Sequence, residues 1–241
     1  MEVRLLLLEG RTDVSFFLPL IKEFYGFRES NAECEILPFS KDKELSRPIC
    51  LIKYKTLLVI LHANGKDNLK KALKAVFRAV ERFEDRPTII GVARDVDTEE
   101  NILNWAKSTL QGGGFEPEVK NGYLIVNGIT IVPFGIGDVN FDAKDIEPKK
   151  ELELLMTLLA KKESNLSRLE NSISQLSKDL ERKLMPKDIM HLLAIARSYD
   201  GDSMSGLYRN FIEKLIRENR GLIEEFLDES GLRAFLETIA R

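Results

Sequence analysis

Glu9 follows directly on the apolar run Val3–Leu8, and the Asp95-Val96-Asp97 loop closes a second apolar run that begins at Thr88. Runs this continuous read as strands covered on both faces. Each carboxylate should therefore stand at the carboxyl end of a strand, the edge where open parallel sheets bind ligands. Glu9, Asp95 and Asp97 gathered there would repel one another. A divalent cation relieves that repulsion, and hard oxygen donors suit Mg²⁺ or Mn²⁺. In a D-x-D loop both side chains can reach one ion from a single turn. Asp13 comes four residues after Glu9, about one helical turn, and is a candidate fourth carboxylate. The plainer alternatives are that strand-end acids are solvated caps and that Asp13 is an ordinary first-turn residue of a helix.

A second group is basic. In Asn64-Gly65-Lys66-Asp67-Asn68, the backbone N–H groups around Gly65 and the Lys66 ammonium are suited to a phosphate. The alternative is a strand-to-helix turn with Asn68 as the cap. The following helix carries Leu69, Leu73, Val76, Phe77, Val80 and Phe83 on one face and Lys70, Lys71, Lys74, Arg78 and Arg82 on the other. Such a stripe can track a nucleic-acid backbone, or it can be a solvated face. The upstream glycine spacing of a P-loop is absent. His62 ends a strand near this turn. Glu151 and Glu153 reach the carboxylate group only if the tail folds back.

Together, Leu8-Glu9-Gly10-Arg11-Thr12-Asp13, Asn64-Gly65-Lys66-Asp67-Asn68-Leu69 and Asp95-Val96-Asp97 resemble the Toprim domain over about residues 1–135. Topoisomerases, bacterial primases, RecR-type repair proteins and OLD-type nucleases share that domain. The nearest likeness is to small stand-alone prokaryotic Toprim-like proteins. The resemblance implies Glu9 as general acid/base or metal ligand and Asp95 and Asp97 as metal ligands. It implies Asp13 as the further acid that nuclease-type members use for another metal. The zinc cysteines of primases and RecR-type proteins are missing, as is the Walker A sequence of full OLD proteins. The chain is too short to hold a topoisomerase. What remains implied is Mg²⁺-dependent, nuclease-like phosphoryl transfer on nucleic-acid phosphodiesters, or a metal-dependent nucleic-acid-binding module without turnover. A haloacid-dehalogenase-like phosphatase also ends a strand in D-x-D. Here, however, Thr98 follows Asp97 directly, and the motif lies mid-chain.

These residues need an α/β frame. Alternating strands and helices over residues 1–148 predict a mainly parallel sheet flanked by helices, and residues 149–241 predict an all-helical C-terminal domain. Thr12 or Asp13 is the expected cap of a helix reaching about Tyr25. Glu35–Phe39 reads as a strand and Ser40–Lys55 as an insertion. Asn68 should cap a helix to about Glu84, and Thr98 one to about Leu110. Asn127-Gly128 should turn a hairpin between Tyr123–Val126 and Ile129–Val132, attached as an antiparallel appendage. In the tail, Leu166, Leu169, Ile173, Leu176, Leu180 and Leu184 form a seam for intramolecular packing or for a homodimer. Pro186 should open the next helix, and Gly206, Gly221 and Gly231 should separate later ones.

Composition sets outer bounds. The 241 residues are 44% hydrophobic with a net charge of −3, so a core is expected and a strongly basic nucleic-acid binder is excluded. No apolar run approaches membrane-spanning length, and no basic leader precedes Leu5–Leu8. A cytoplasmic location is expected, with Cys34 and Cys50 as reduced thiols.

Overall fold

Along the chain, β1 (Glu2–Leu8) leads into α1 (Arg11–Tyr25), then β2 (Arg28–Glu29), β3 (Ile49–Lys53) and β4 (Thr56–His62). Next come α2 (Lys66–Val80), β5 (Ile89–Asp95), α3 (Ile102–Gln111), β6 (Glu118–Lys120), β7 (Tyr123–Val126) and β8 (Ile129–Ile136). The structure, a computed structural model, describes residues 1–30, 34, 45–80, 86–97, 101–162, 165–197 and 203–241. The chain divides into two units: Met1–Arg94, Glu100–Gly135 and Ala234–Arg241 make the first, and Asp95–Glu99 with Ile136–Arg233 the second.

The first unit is organised by β1, which is buried from Val3 to Leu8. Its parallel neighbours are β4, with Leu8 opposite His62, and β5, with Leu8 opposite Ala93. Thr130 N donates to Thr88 O and Val96 N to Ile136 O, so β8 runs parallel to β5. Among the described residues the sheet has eight strands in the order β2-β3-β4-β1-β5-β8-β7-β6. Its four central strands are parallel, while β2, β3, β6 and β7 pair antiparallel at the edges. The sheet is thus mixed rather than mainly parallel. Two short stretches account for the difference. Residues 49–53, within the expected insertion Ser40–Lys55, form β3, because the tight turn at Tyr54 (φ +52°) folds them back on β4. The Asn127-Gly128 hairpin is present, but its second strand continues to Ile136 and becomes the fourth parallel strand.

Helices cover this sheet. In α1, Phe17 meets Phe235, which also stacks on Phe134. Phe235 and Ile239 come so close to β5 that a Cβ at Gly91 would lie 2.9 Å from Ile239 Cγ2. Phe77 of α2 packs on Phe115 just beyond α3. Several helix starts differ from expectation. The cap of α1 is Gly10; Asp13 is the third helical residue and accepts from Gly10 N at 2.7 Å. Helix α2 begins at Lys66, so Asn68 lies inside it instead of capping it. The left-handed Asn64 and Gly65 (φ +54° and +116°) already turn the chain. Asn101 caps α3 through Asn104 N. Thr98, the Glu35–Phe39 strand, Arg82, Phe83 and Glu84 lie outside the described residues.

The second unit is helical: α4 (Leu152–Lys162), α5 (Asn165–Asp179), α6 (Pro186–Arg197), α7 (Met204–Glu218) and α8 (Arg220–Glu229), with α9 (Leu232–Ala240) beginning in it and ending in the first. Pro186 opens α6 as expected. The leucine seam is not one helix. It is interrupted where α5 ends: Leu180 is 51% exposed, and Leu184 lies beyond the helix, bridged to Ile146. Gly206 and Gly221 sit inside α7 and α8, while Gly231, at φ +72°, separates α8 from α9. Among the described residues no helix is long and apolar enough to cross a membrane.

Cys34 and Cys50 are not free thiols but a disulfide, with Cα atoms 5.6 Å apart. Sequence spacing hid this. Pairing of β2 with β3, continued by Ser30 N donating to Cys50 O, returns the chain past Cys50 shortly before Cys34. Closing a loop of this length stabilises a fold by about 3 kcal/mol through the unfolded chain. Cys50→Ser should lower unfolding free energy in denaturant titrations by about 2–3 kcal/mol. Alkylation followed by mass spectrometry should label Cys34 of the unfolded wild type only after reduction.

Candidate carboxylate site

Chain order reverses between β1 and β5, since β4 lies on one side of β1 and β5 on the other. In open α/β sheets such a switch point opens a crevice beyond the carboxyl ends of the strands. The chain leaves β1 at Glu9 and completes β5 at Asp95.

In the first unit, Glu9 is half-buried, and its carbonyl accepts from Gly65 N at 2.9 Å. The Gly65 N–H, one of the donors expected to face a phosphate, is therefore committed to the β1 exit. Asp13 is 4% exposed and holds the Gly10 amide, satisfying a donor at the start of α1. Lys70, Lys71 and Arg78 are exposed on α2. Lys74 differs. Its ammonium donates to Gly112 O at 3.1 Å, at the carboxyl end of α3, where a cation complements unpaired carbonyls. Lys66 is the first residue of α2, and its side chain is outside the described set.

In the second unit, Asp95 Oδ1 accepts from Leu152 N at 3.0 Å and so caps α4. Asp97 adopts a left-handed backbone, φ +55°, and its N–H donates to Lys150 O at 2.8 Å. That contact brings residues 149–151 against the D-x-D loop. Lys149 pairs with Glu151 at 2.7 Å. Its pKa is raised above the ordinary 10.5, first by that hydrogen bond; burial opposes the rise, and the charges of Glu151, Asp97 and Asp95 reinforce it. Glu153 has turned away, accepting from Tyr208 Oη at 2.7 Å in the helical core. Of the two tail acids considered from sequence, Glu151 thus joins the neighbourhood of Asp95 and Asp97, and Glu153 serves packing. Gly137 makes the approach possible. Its φ is +80°, and a Cβ there would lie 2.4 Å from Glu151 N.

Sequence reasoning missed Lys149 and Arg94. Arg94 is 3% exposed, with its guanidinium 4.8 Å from the Trp105 ring centre. A lone charge within an apolar strand run was the available signal. Among the described residues, no three histidine, cysteine, aspartate or glutamate side chains are gathered so as to hold a metal ion. Carboxylates such as Asp95, Asp97 and Glu151 are the donor type that a hard cation takes.

His62, at the end of β4, is half-buried. Its pKa is lowered below 6.5, first by burial and then by the Arg11 charge.

A family model described as "Protein of unknown function (DUF3226)" matches residues 3–229. The chain belongs to that family. The uncharacterized protein MJECL12 of Methanocaldococcus jannaschii is 42% identical over 220 residues, covering 89% of this chain and 91% of that protein. The crystal structure of hypothetical protein PH0156 from Pyrococcus horikoshii OT3 superposes with a TM-score of 0.90 at 37% identity, over the full length of both chains. The α/β domain and the helical region after it are thus shared with a solved structure.

Two outcomes follow from these contacts. Gly137→Ala combines left-handed strain with a backbone clash, and should cost about 3 kcal/mol or more in chemical denaturation. For His62, the unfolded ring binds a proton below pH 6.5 that the folded ring refuses until a lower pH. Stability should therefore fall as pH drops from 6.5 toward the lowered value. Denaturant titrations of His62→Gln should show a shallower loss between about pH 7 and 5.

Proposed function

We propose that the protein is a Toprim-like, Mg²⁺- or Mn²⁺-dependent protein acting on nucleic-acid phosphodiesters by nuclease-like phosphoryl transfer. The observation that supports this most is that Asp97 N on Lys150 O and Asp95 Oδ1 on Leu152 N hold the Asp95–Asp97 loop against residues 150–152, beside the Lys149–Glu151 ion pair. In this reading Asp95 and Asp97 are metal ligands, with Glu9 as a further ligand or as the acid/base, and Asp13 assists in positioning water. A bound divalent ion supplies charge neutralisation at the phosphate and a more acidic water. The chain's own residues do the rest. In this reading both carboxylates reach the ion from one short loop, whose left-handed turn at Asp97 is held by Lys150 O. Arg94, fixed on Trp105, adds a positive charge next to Asp95 in the chain. Lys70 and Arg78 neutralise substrate phosphates, with Gly65, Lys66 and Lys74 shaping the turn and helix that carry them. The proposal includes a cytoplasmic location. It also includes a homodimer through the helical tail, in which the exposed Leu180 would be covered.

A second reading, a regulatory module that binds metal and nucleic acid without cutting, is favoured by one feature. Asp95 and Asp13 both spend an oxygen on a backbone N–H at a helix start.

Cleavage of single-stranded DNA, duplex DNA and RNA should require Mg²⁺ or Mn²⁺ and stop in EDTA. Asp97→Asn should abolish it with little change in melting temperature. Lys70→Ala should weaken substrate binding and reduce its salt slope by about one ion. Metal-independent cleavage, or full activity of Asp97→Asn, would refute the nuclease reading. With no cleavage at all, Mg²⁺-dependent nucleic-acid affinity that Asp95→Ala removes would establish the binding module.

A further inference from the structure

A separate basic cavity of about 720 Å³ lies wholly within the first unit. Arg11 from the first turn of α1, His62 and Asn64 from the exit of β4, and Ser46 and Arg47 from the segment before β3 line it. Among the described residues no carboxylate lines it, and neither arginine is in an ion pair. Glu9 and Asp13 flank Arg11 in sequence, but neither faces the cavity, and Asp13 is buried on Gly10 N.

The walls are built rather than incidental. Ser46 N donates to His62 O at 2.9 Å, and His62 N donates back to Ser46 Oγ at 2.9 Å. These reciprocal bonds tie the Ser46-Arg47 segment to the end of β4, and the Cys34–Cys50 disulfide anchors the chain just beyond it. His62 Nδ1 is buried and has no hydrogen-bond partner among the described residues. A buried ring nitrogen left this way lacks the partner that such groups normally have. The start of α1 adds the positive end of a 15-residue helix.

We propose that this cavity binds the phosphate group of a ligand, with Arg11 and Arg47 as charged donors and His62 and Asn64 as neutral ones. A tetrahedral anion carrying more than one negative charge can accept from several directions at once, matching two guanidiniums and side-chain N–H groups on separate segments. The volume lies within the range of small-ligand pockets and leaves room for a nucleoside attached to the phosphate. None of Glu9, Asp95 and Asp97 lines the cavity. The proposal is therefore independent of the metal reading, and it is tested in EDTA, where that chemistry is silent.

The probes are inorganic phosphate, adenosine monophosphate, and one oligonucleotide carrying either a 5′-phosphate or a 5′-hydroxyl, all at fixed ionic strength. Calorimetry should give saturable binding of at least one phosphate compound. Arg11→Gln and Arg47→Gln should each weaken it by about tenfold or more, while Lys120→Gln on edge strand β6 should not. Melting temperatures without ligand establish that the variants are folded. The chain has two histidines, so ring resonances give a reading on the unaltered protein. Phosphate should move the signals of His62 and leave those of His191 in place. Preference for the 5′-phosphorylated strand would identify a strand-end pocket, and binding of the small phosphates alone would identify a nucleotide-type ligand. Either supports the proposal. No saturable binding below about 10 mM, binding unaffected by both arginine changes, or equal movement of both histidines would overturn it.

Discussion

The parallel pairing of β1 with β4 and β5 is the constraint on which the rest depends. Burial of the β1 side chains on both faces drives it, each large one contributing about 1.5–3 kcal/mol. The register aligns Leu8 with His62 on one side and with Ala93 on the other. Two chain exits of the first unit are thereby set at one edge: Glu9 and Ala63-Asn64. Gly91 shows how tight the arrangement is, since α9 occupies the space that any larger residue would need.

In each unit the acidic groups near the strand ends are held by local contacts. Asp13 is spent on Gly10 N, Asp95 on Leu152 N, and Glu151 on Lys149. Each contact serves the fold, starting a helix or fastening residues 149–151 beside Asp97. Structure and proposed chemistry draw on the same atoms, which is why substitutions here need a stability measurement beside any activity measurement.

The cavity of the first unit is basic, lined by Arg11 and Arg47. Its charge comes from side chains contributed by α1 and by the segment tied to the end of β4.

The apolar runs of β1, β4 and β5, the Asn127-Gly128 turn and the Pro186 helix start were legible in the sequence. Each is a local pattern whose physics acts within a few residues. The placement of Glu9 just after β1, and of Asp95 and Asp97 at and just beyond the end of β5, was legible for the same reason. Tertiary structure alone decided the rest. Strand β3 exists because β4 offers it an edge, and the disulfide exists because β2 and β3 pair. Lys74 is drawn off its basic stripe by the end of α3. Lys149 and Glu151 meet Asp97 because Gly137 has no Cβ. Arg11 and Arg47 share a cavity because Ser46 and His62 bond to each other. Those contacts join residues far apart in the chain, and no periodicity or spacing encodes a distance that only folding closes.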